Sequence, residues 1–208
     1  MKNTVAIIDY GTNNILSILK AFNRIDVKAE VVTNYKKLKN FNNCILPGVG
    51  SFDKAIKNLD KIGFKDEICN FVSKGHFILG ICLGMQLLFE KSDEGKLGLA
   101  GLSLIKGECK KLKNYKNLKI QVPHMGWNSL KIKKTSRLLK NVEDEANFYF
   151  VHSYYVLPTN SKYTVGVCKH GIEFTAAFES ENIMGVQFHP EKCSNNGFSI
   201  LKQFSLMS

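Results

Sequence analysis

The sequence predicts an α/β fold: a mostly parallel central sheet flanked by helices, with an antiparallel β extension. Three observations carry this. The first half alternates short apolar runs with apolar residues at helical spacing. The second half is a succession of segments rich in β-branched and aromatic residues. The composition, 44% hydrophobic and 23% charged over 208 residues, is that of an ordinary globular chain with a sizeable core. Strand–helix alternation implies parallel strands joined by helical crossovers, with helices on both faces.

Residues 5–8 form a buried run closed by the turn Asp9-Tyr10-Gly11. Ile15, Ile18, Leu19 and Phe22 recur at helical spacing, so 14–22 reads as a helix. Strands follow over 27–32 and 44–46, the second stopped by Pro47-Gly48. Ser51 stands where an N-cap belongs, ahead of Ala55, Ile56 and Leu59. A helix over 65–73, a strand over 77–79 and a helix over 83–89 complete this half. Strands are then expected within 102–119 and over 130–134, 148–156, 163–168, 174–178 and 183–188, with a closing helix over 197–207. No repeat or linker interrupts the chain, so one domain over 1–208 is expected.

The formal net charge of +11 is local. No acid lies between Glu108 and Glu143, a stretch with ten bases, and the rest of the chain is nearly neutral. The excess raises the idea of nucleic-acid binding, but nothing resembles a recognition helix or an aromatic RNA-binding motif. No apolar run approaches the roughly 20 residues of a membrane span. The first run ends at Asp9, too soon for a secretory signal. Cys44, Cys69, Cys82, Cys109, Cys168 and Cys193 are scattered, with no CxxC pair, which fits neither a zinc site nor a disulfide framework. Reduced thiols in the cytoplasm are the expectation. Neither nucleic acid nor membrane is expected as a partner, and no metal or other cofactor is called for.

Gly80-Ile81-Cys82-Leu83-Gly84 follows an expected strand and opens an expected helix. This is the G-x-nucleophile-x-G elbow with cysteine in the serine position. The sharp turn holds the nucleophile above the carboxyl ends of the strands, where open α/β sheets place their sites. The helix amides face the place where an oxyanion forms, so Leu83 N–H is a natural donor. Gly185-Val186-Gln187-Phe188-His189-Pro190-Glu191 ends a late strand with an imidazole and a carboxylate two residues on. A thiol nucleophile needs a base that takes its proton and returns it to the leaving amine, and His189 suits both tasks. Glu191 can accept the other ring N–H and fix the tautomer.

These residues resemble the class I, Cys-His-Glu glutamine amidotransferases. The match covers essentially the whole chain. Beyond the elbow and His-Pro-Glu it includes Pro47-Gly48-Val49-Gly50-Ser51-Phe52, Pro123-His124-Met125-Gly126-Trp127-Asn128 and Phe150-Val151-His152-Ser153-Tyr154. The first two of these narrow it to the branch of glutaminase subunits of imidazole glycerol phosphate synthases. The resemblance implies the class I glutamine amidotransferase fold and hydrolysis of L-glutamine through a thioester on Cys82, with His189 and Glu191 completing the triad. It implies an oxyanion hole of Leu83 with Val49 and Gly50. It places Gln86, Glu94, His152, Ser153 and Tyr154 about the substrate. It also implies a heterodimer with a (β/α)₈-barrel cyclase/synthase subunit that receives the ammonia, faced by Asn14, Trp127 and Lys192.

Two departures stand out. Gly11-Thr12-Asn13-Asn14 lacks the second glycine that the family has there; asparagine tolerates positive φ, so the turn survives. Cys193 replaces the serine usual after Lys192, and next to the site it is open to oxidation or thiol reagents. The runner-up function is a paralogous glutaminase that feeds ammonia to the amination or amidination of a bacterial surface sugar. The segment between Glu108 and Glu143 is either a solvated lysine-rich hairpin or a docking surface for an acidic rim of the partner.

Overall fold

Alternating burial in the first strand shows what the fold must supply. In β1 (Val5–Ile8), Val5 and Ile7 enter one hydrophobic cluster, Ala6 and Ile8 another, and all four are buried. A strand buried on both sides belongs to a sheet covered on both faces. In the computed structural model, which describes residues 4–11, 14–95, 98–113 and 120–207, α1 (Ile15–Arg24) covers the Val5 face through Ile15, Ile18, Ala21 and Phe22. On the Ala6 face lie α2 (Phe52–Lys61) and α3 (Phe64–Ser73). Each helix presents apolar residues three and four apart, so each buries one stripe and leaves its charges in water.

The parallel part of the sheet runs in the order β2 (Ala29–Val32), β1, β3 (Asn43–Leu46), β4 (Phe77–Ile81) and β12 (Ile183–Val186). Antiparallel strands continue from β12 through β11 (Ile172–Ser180), β10 (Thr164–His170) and β7 (His124–Ile132) to β8 (Ala146–His152). A branch leaves β11 through β9 (Tyr154–Pro158) to β6 (Ile105–Lys111) and β5 (Phe89–Ser92). The closing helix α5 (Asn195–Ser205) packs beside α1 through Ile200, Leu201 and Phe204. The expected architecture is borne out: a parallel centre with helices on both faces and an antiparallel extension.

Several local expectations are refined. The helix expected over 83–89 ends early, as α4 (Leu83–Leu87), and Phe89 opens a strand. Nearly every residue there is buried, so apolar periodicity carries no signal to separate the two. The strand expected over 148–156 is two strands, because the chain leaves β7 at His152 and takes up β6 from Tyr154. Its residues are strand formers throughout, and only the change of partner marks the break. Ser51 does occupy the N-cap of α2, but its side chain makes no capping bond; the Glu94 carboxylate accepts the Phe52 N–H at 2.8 Å instead. The strand expected over 130–134 begins earlier, at His124. Part of the 102–119 expectation, and Asn13 in the first turn, lie outside the described residues.

The turn from β4 into α4 is the tightest point of the fold. A Cβ on Gly84 would stand 1.8 Å from the Leu46 carbonyl oxygen of β3, and one on Gly80 would stand 2.7 Å from Gly84 backbone atoms. Backbone in the middle of a sheet cannot move aside cheaply. Gly84→Ala should therefore lower unfolding stability by about 3 kcal/mol or more, read as a reduced urea midpoint; an unchanged midpoint would show that β3 yields.

Candidate active site

Cys82 sits between β4 and α4 at φ 54°, ψ −111°, a left-handed conformation that costs a non-glycine residue about 1–3 kcal/mol. The strain aims its side chain off the sheet's carboxyl end, and Leu83 follows as the first residue of α4, where amide N–H groups have no acceptor within the helix. Cys82 opens onto a cleft of about 360 Å³. The same cleft is lined by the predicted Val49, Gly50, Leu83, Gln86, Glu94, His152, Ser153, Tyr154 and His189. Residues far apart in sequence thus line one cleft, and Glu191 lies directly behind His189.

His189 and Glu191 are both buried, with Nδ1 2.8 Å from Oε1. Pro190 begins a single 3₁₀ turn that puts the two side chains on one side. Burial alone would lower the His189 pKa, but its interactions with Cys82 and Glu191 outweigh this and push it up to about 10. Its Nε2 is buried and has no hydrogen-bond partner among the described residues. That nitrogen is the one left for the chemistry. Asn14 was expected to face a partner; its Nδ2 lies 3.3 Å from Glu191 Oε1.

Two devices frame the loop of Val49 and Gly50. Tyr10, buried, donates its hydroxyl to the Pro47 carbonyl at 2.8 Å. Gly48 packs so tightly on Gly84 that a Cβ would stand 2.7 Å from the Gly84 nitrogen. Gly50 is at φ +102° with open space about it, so backbone conformation rather than crowding calls for glycine there. Glu94, across the cleft, has its pKa raised by burial, partly offset by the Phe52 N–H.

A polar relay on the far wall was not read from the sequence. His152 Nδ1 is 2.8 Å from the Tyr154 carbonyl, and its Nε2 is 3.0 Å from His124 Nδ1. His124 Nε2 in turn meets Asn128 Nδ2 at 3.2 Å. Burial holds His124 down to about 4 and His152 to about 3, so both are neutral near pH 7. Since a carbonyl only accepts, His152 carries its proton on Nδ1 and His124 donates from its own Nδ1. His124, named from the sequence only as part of a motif, is a link in this chain. Its signal, a histidine in Pro-His-Met-Gly-Trp-Asn, says nothing of a partner 28 residues on.

Cys193 is also corrected. It is buried, its thiol donates to the His189 carbonyl at 3.1 Å and accepts the Tyr149 N–H at 3.3 Å, and burial pushes its pKa up to about 11. It is a poor target for thiol reagents and a brace for the His189 backbone. On the outer surface Trp127 is 60% exposed and packs edge-on against Tyr149, whose ring also carries the Lys192 ammonium at 4.9 Å. The predicted Trp127 and Lys192 therefore share one patch, joined by Tyr149, which the sequence reading missed. Of the basic segment, Lys110 pairs with Glu108 and Asp93, Lys133 with Glu173, and Arg137 with Glu179. Lys116 and Lys119 lie outside the described residues.

The profile of the family described as "Glutamine amidotransferase class-I" matches residues 6–207. The imidazole glycerol phosphate synthase subunit HisH of Caldanaerobacter subterraneus is 44% identical, covering 98% of each chain. HisH of Bacillus subtilis is 43% identical, covering 98% of this chain and 96% of its own. Among solved structures, PurLQS from Thermotoga maritima superposes with a TM-score of 0.75 over 98% of both chains at 20% identity, a likeness of fold. No described helix is long and apolar enough to cross a membrane. The chain belongs to the class I glutamine amidotransferases and, within them, to the HisH glutaminase subunits of imidazole glycerol phosphate synthase.

Proposed function

We propose that this chain, acting as one domain over residues 1–208, hydrolyses L-glutamine at Cys82 and delivers the ammonia to a (β/α)₈-barrel cyclase/synthase subunit in histidine biosynthesis. The observation that carries the site assignment is Cys82 in a strained elbow, with the buried His189–Glu191 pair beside it and a cleft of about 360 Å³ above. Cys82 passes its thiol proton to His189, and Sγ attacks the side-chain amide carbon. The oxyanion takes N–H bonds from Leu83 and from the Val49–Gly50 loop once its peptide is turned toward it. As the C–N bond breaks, His189 gives its proton to the departing amine and ammonia leaves. Water then attacks the thioester, passing its proton to His189; the C–S bond breaks, glutamate leaves and the thiol is restored.

Gln86 has both amide protons committed, to Tyr154 and to Gln187, so Oε1 is what it offers the substrate amide. Glu94 suits the α-ammonium group, and the backbone of His152, Ser153 and Tyr154 closes the cleft. Asn14, Trp127 and Lys192 face the partner, where Asn14 links the interface to Glu191. Ammonia that entered water at neutral pH would become ammonium, so transfer through a closed interface serves the chemistry. The names of the relatives favour this reading over a sugar-modifying paralogue.

Three outcomes test the proposal. Cys82→Ala should lower glutaminase activity at least roughly 10³-fold while the circular dichroism spectrum is kept; substantial residual turnover refutes the nucleophile. The His189 pKa is raised above its unfolded value of about 6.5, so its stabilisation is complete below that pH and lost as pH rises through about 10. The urea midpoint should drop between about pH 6.5 and 10 in the wild type and drop less in His189→Gln; parallel curves would contradict this. Trp127→Ala should weaken binding of the barrel subunit by about tenfold or more without changing the isolated fold, measured by titration calorimetry. Equal affinity would place the interface elsewhere.

A further inference from the structure

From the hydrogen-bond polarity of the cleft wall, we infer that Gln187 is a positioning residue that aims an amide N–H at the sulfur of Cys82. Gln187 is fully buried and stands two residues before His189, yet glutamine chemistry at Cys82 has no evident need of a second amide beneath it. Among the described residues its side chain makes two hydrogen bonds: Oε1 with Gln86 Nε2 at 3.1 Å, and Nε2 with Cys82 Sγ at 3.7 Å.

The direction of those contacts is set elsewhere. The Tyr154 carbonyl can only accept, and it lies 3.0 Å from Gln86 and 2.8 Å from His152. It therefore holds the nitrogen end of Gln86 toward itself. That nitrogen must also face Gln187, so Gln187 must answer with its oxygen, and its NH₂ group is left pointing at the sulfur. The relay from Asn128 through His124 and His152 fixes the Tyr154 carbonyl from the other side. One carbonyl thus determines the orientation of two amides and delivers a donor to the nucleophile. The second sulfur contact, to the Val151 carbonyl at 3.8 Å, uses the thiol as donor and is lost once the proton has gone. Gln187 then remains, with the His189 ring, to face a negative sulfur, both before attack and when the thioester's C–S bond breaks.

The inference rests on Cys82 as nucleophile, and the test keeps the two apart. Gln187→Met fills the same space without a donor. Gln187→Glu keeps an oxygen for Gln86 but turns an acceptor toward the sulfur. Both should lower kcat for glutamine hydrolysis by about tenfold or more, with KM little changed. Both should slow iodoacetamide labelling of Cys82, followed by peptide mass spectrometry, by a similar factor. A role in packing alone would spare Gln187→Glu, so wild-type labelling and kcat in that variant between pH 7 and 9 would overturn the inference. Glutamine turnover by Cys82→Ala would instead overturn the nucleophile itself. Circular dichroism and the urea midpoint report whether either variant has merely unfolded; if Gln187→Met has, Gln187→Glu decides.

Discussion

Where β4 turns into α4, the chain passes so close to β3 that residue 84 has room for hydrogen and nothing larger. That approach forces the left-handed conformation of Cys82, brings the first amides of α4 beside the sulfur, and seats Gly48 against the turn. The site is therefore a by-product of backbone packing in the middle of the sheet. The conformational strain at one residue is sustained because two hydrophobic layers, one on each face, hold the strands that create it.

On this scaffold the polar groups of the cleft are arranged by exclusion. Burial strips water from His189, Glu191, His152, His124 and Gln187, so each must find its partner within the protein. The result is two opposed electrostatic settings a few side chains apart. His189 is held in the protonated form by its neighbours, whereas His124 and His152 are held neutral by desolvation. The same residue type is held as a cation on one wall and as an oriented neutral dipole on the other, and surroundings alone distinguish them.

Much of this was legible in the sequence, for a physical reason. The elbow and His-Pro-Glu are local: a turn type and a two-residue spacing prescribe the positions of Cys82, His189 and Glu191 once the flanking strands are recognised. Strand β1, with its unbroken apolar run, is local in the same sense. What escaped depends on pairs distant in the chain. Gln187 meets Gln86 across 101 residues, and Glu94 caps a helix 42 residues before it. Ser51 was a sound choice of cap by residue type and does stand at the N-cap, but its hydroxyl makes no cap bond, and a half-buried carboxylate from a distant segment takes the first helical N–H. Asn14 makes a contact with Glu191 that the resemblance did not imply, and Cys193 has a role opposite to the reactivity its position suggested. Thiol chemistry follows burial, which no pattern of neighbours in sequence records.

The short segment from Pro47 to Phe52 is anchored at both ends, by the Tyr10 hydroxyl at its start and by the Glu94 carboxylate at its finish. Between these bearings lie Val49, which is 39% exposed, and Gly50, which has open space where a side chain would stand. Such a segment behaves as a crank. Its peptide planes can turn about the line joining the anchors while strands, helices and triad stay in place, so a change at the mouth of the cleft need not disturb the core.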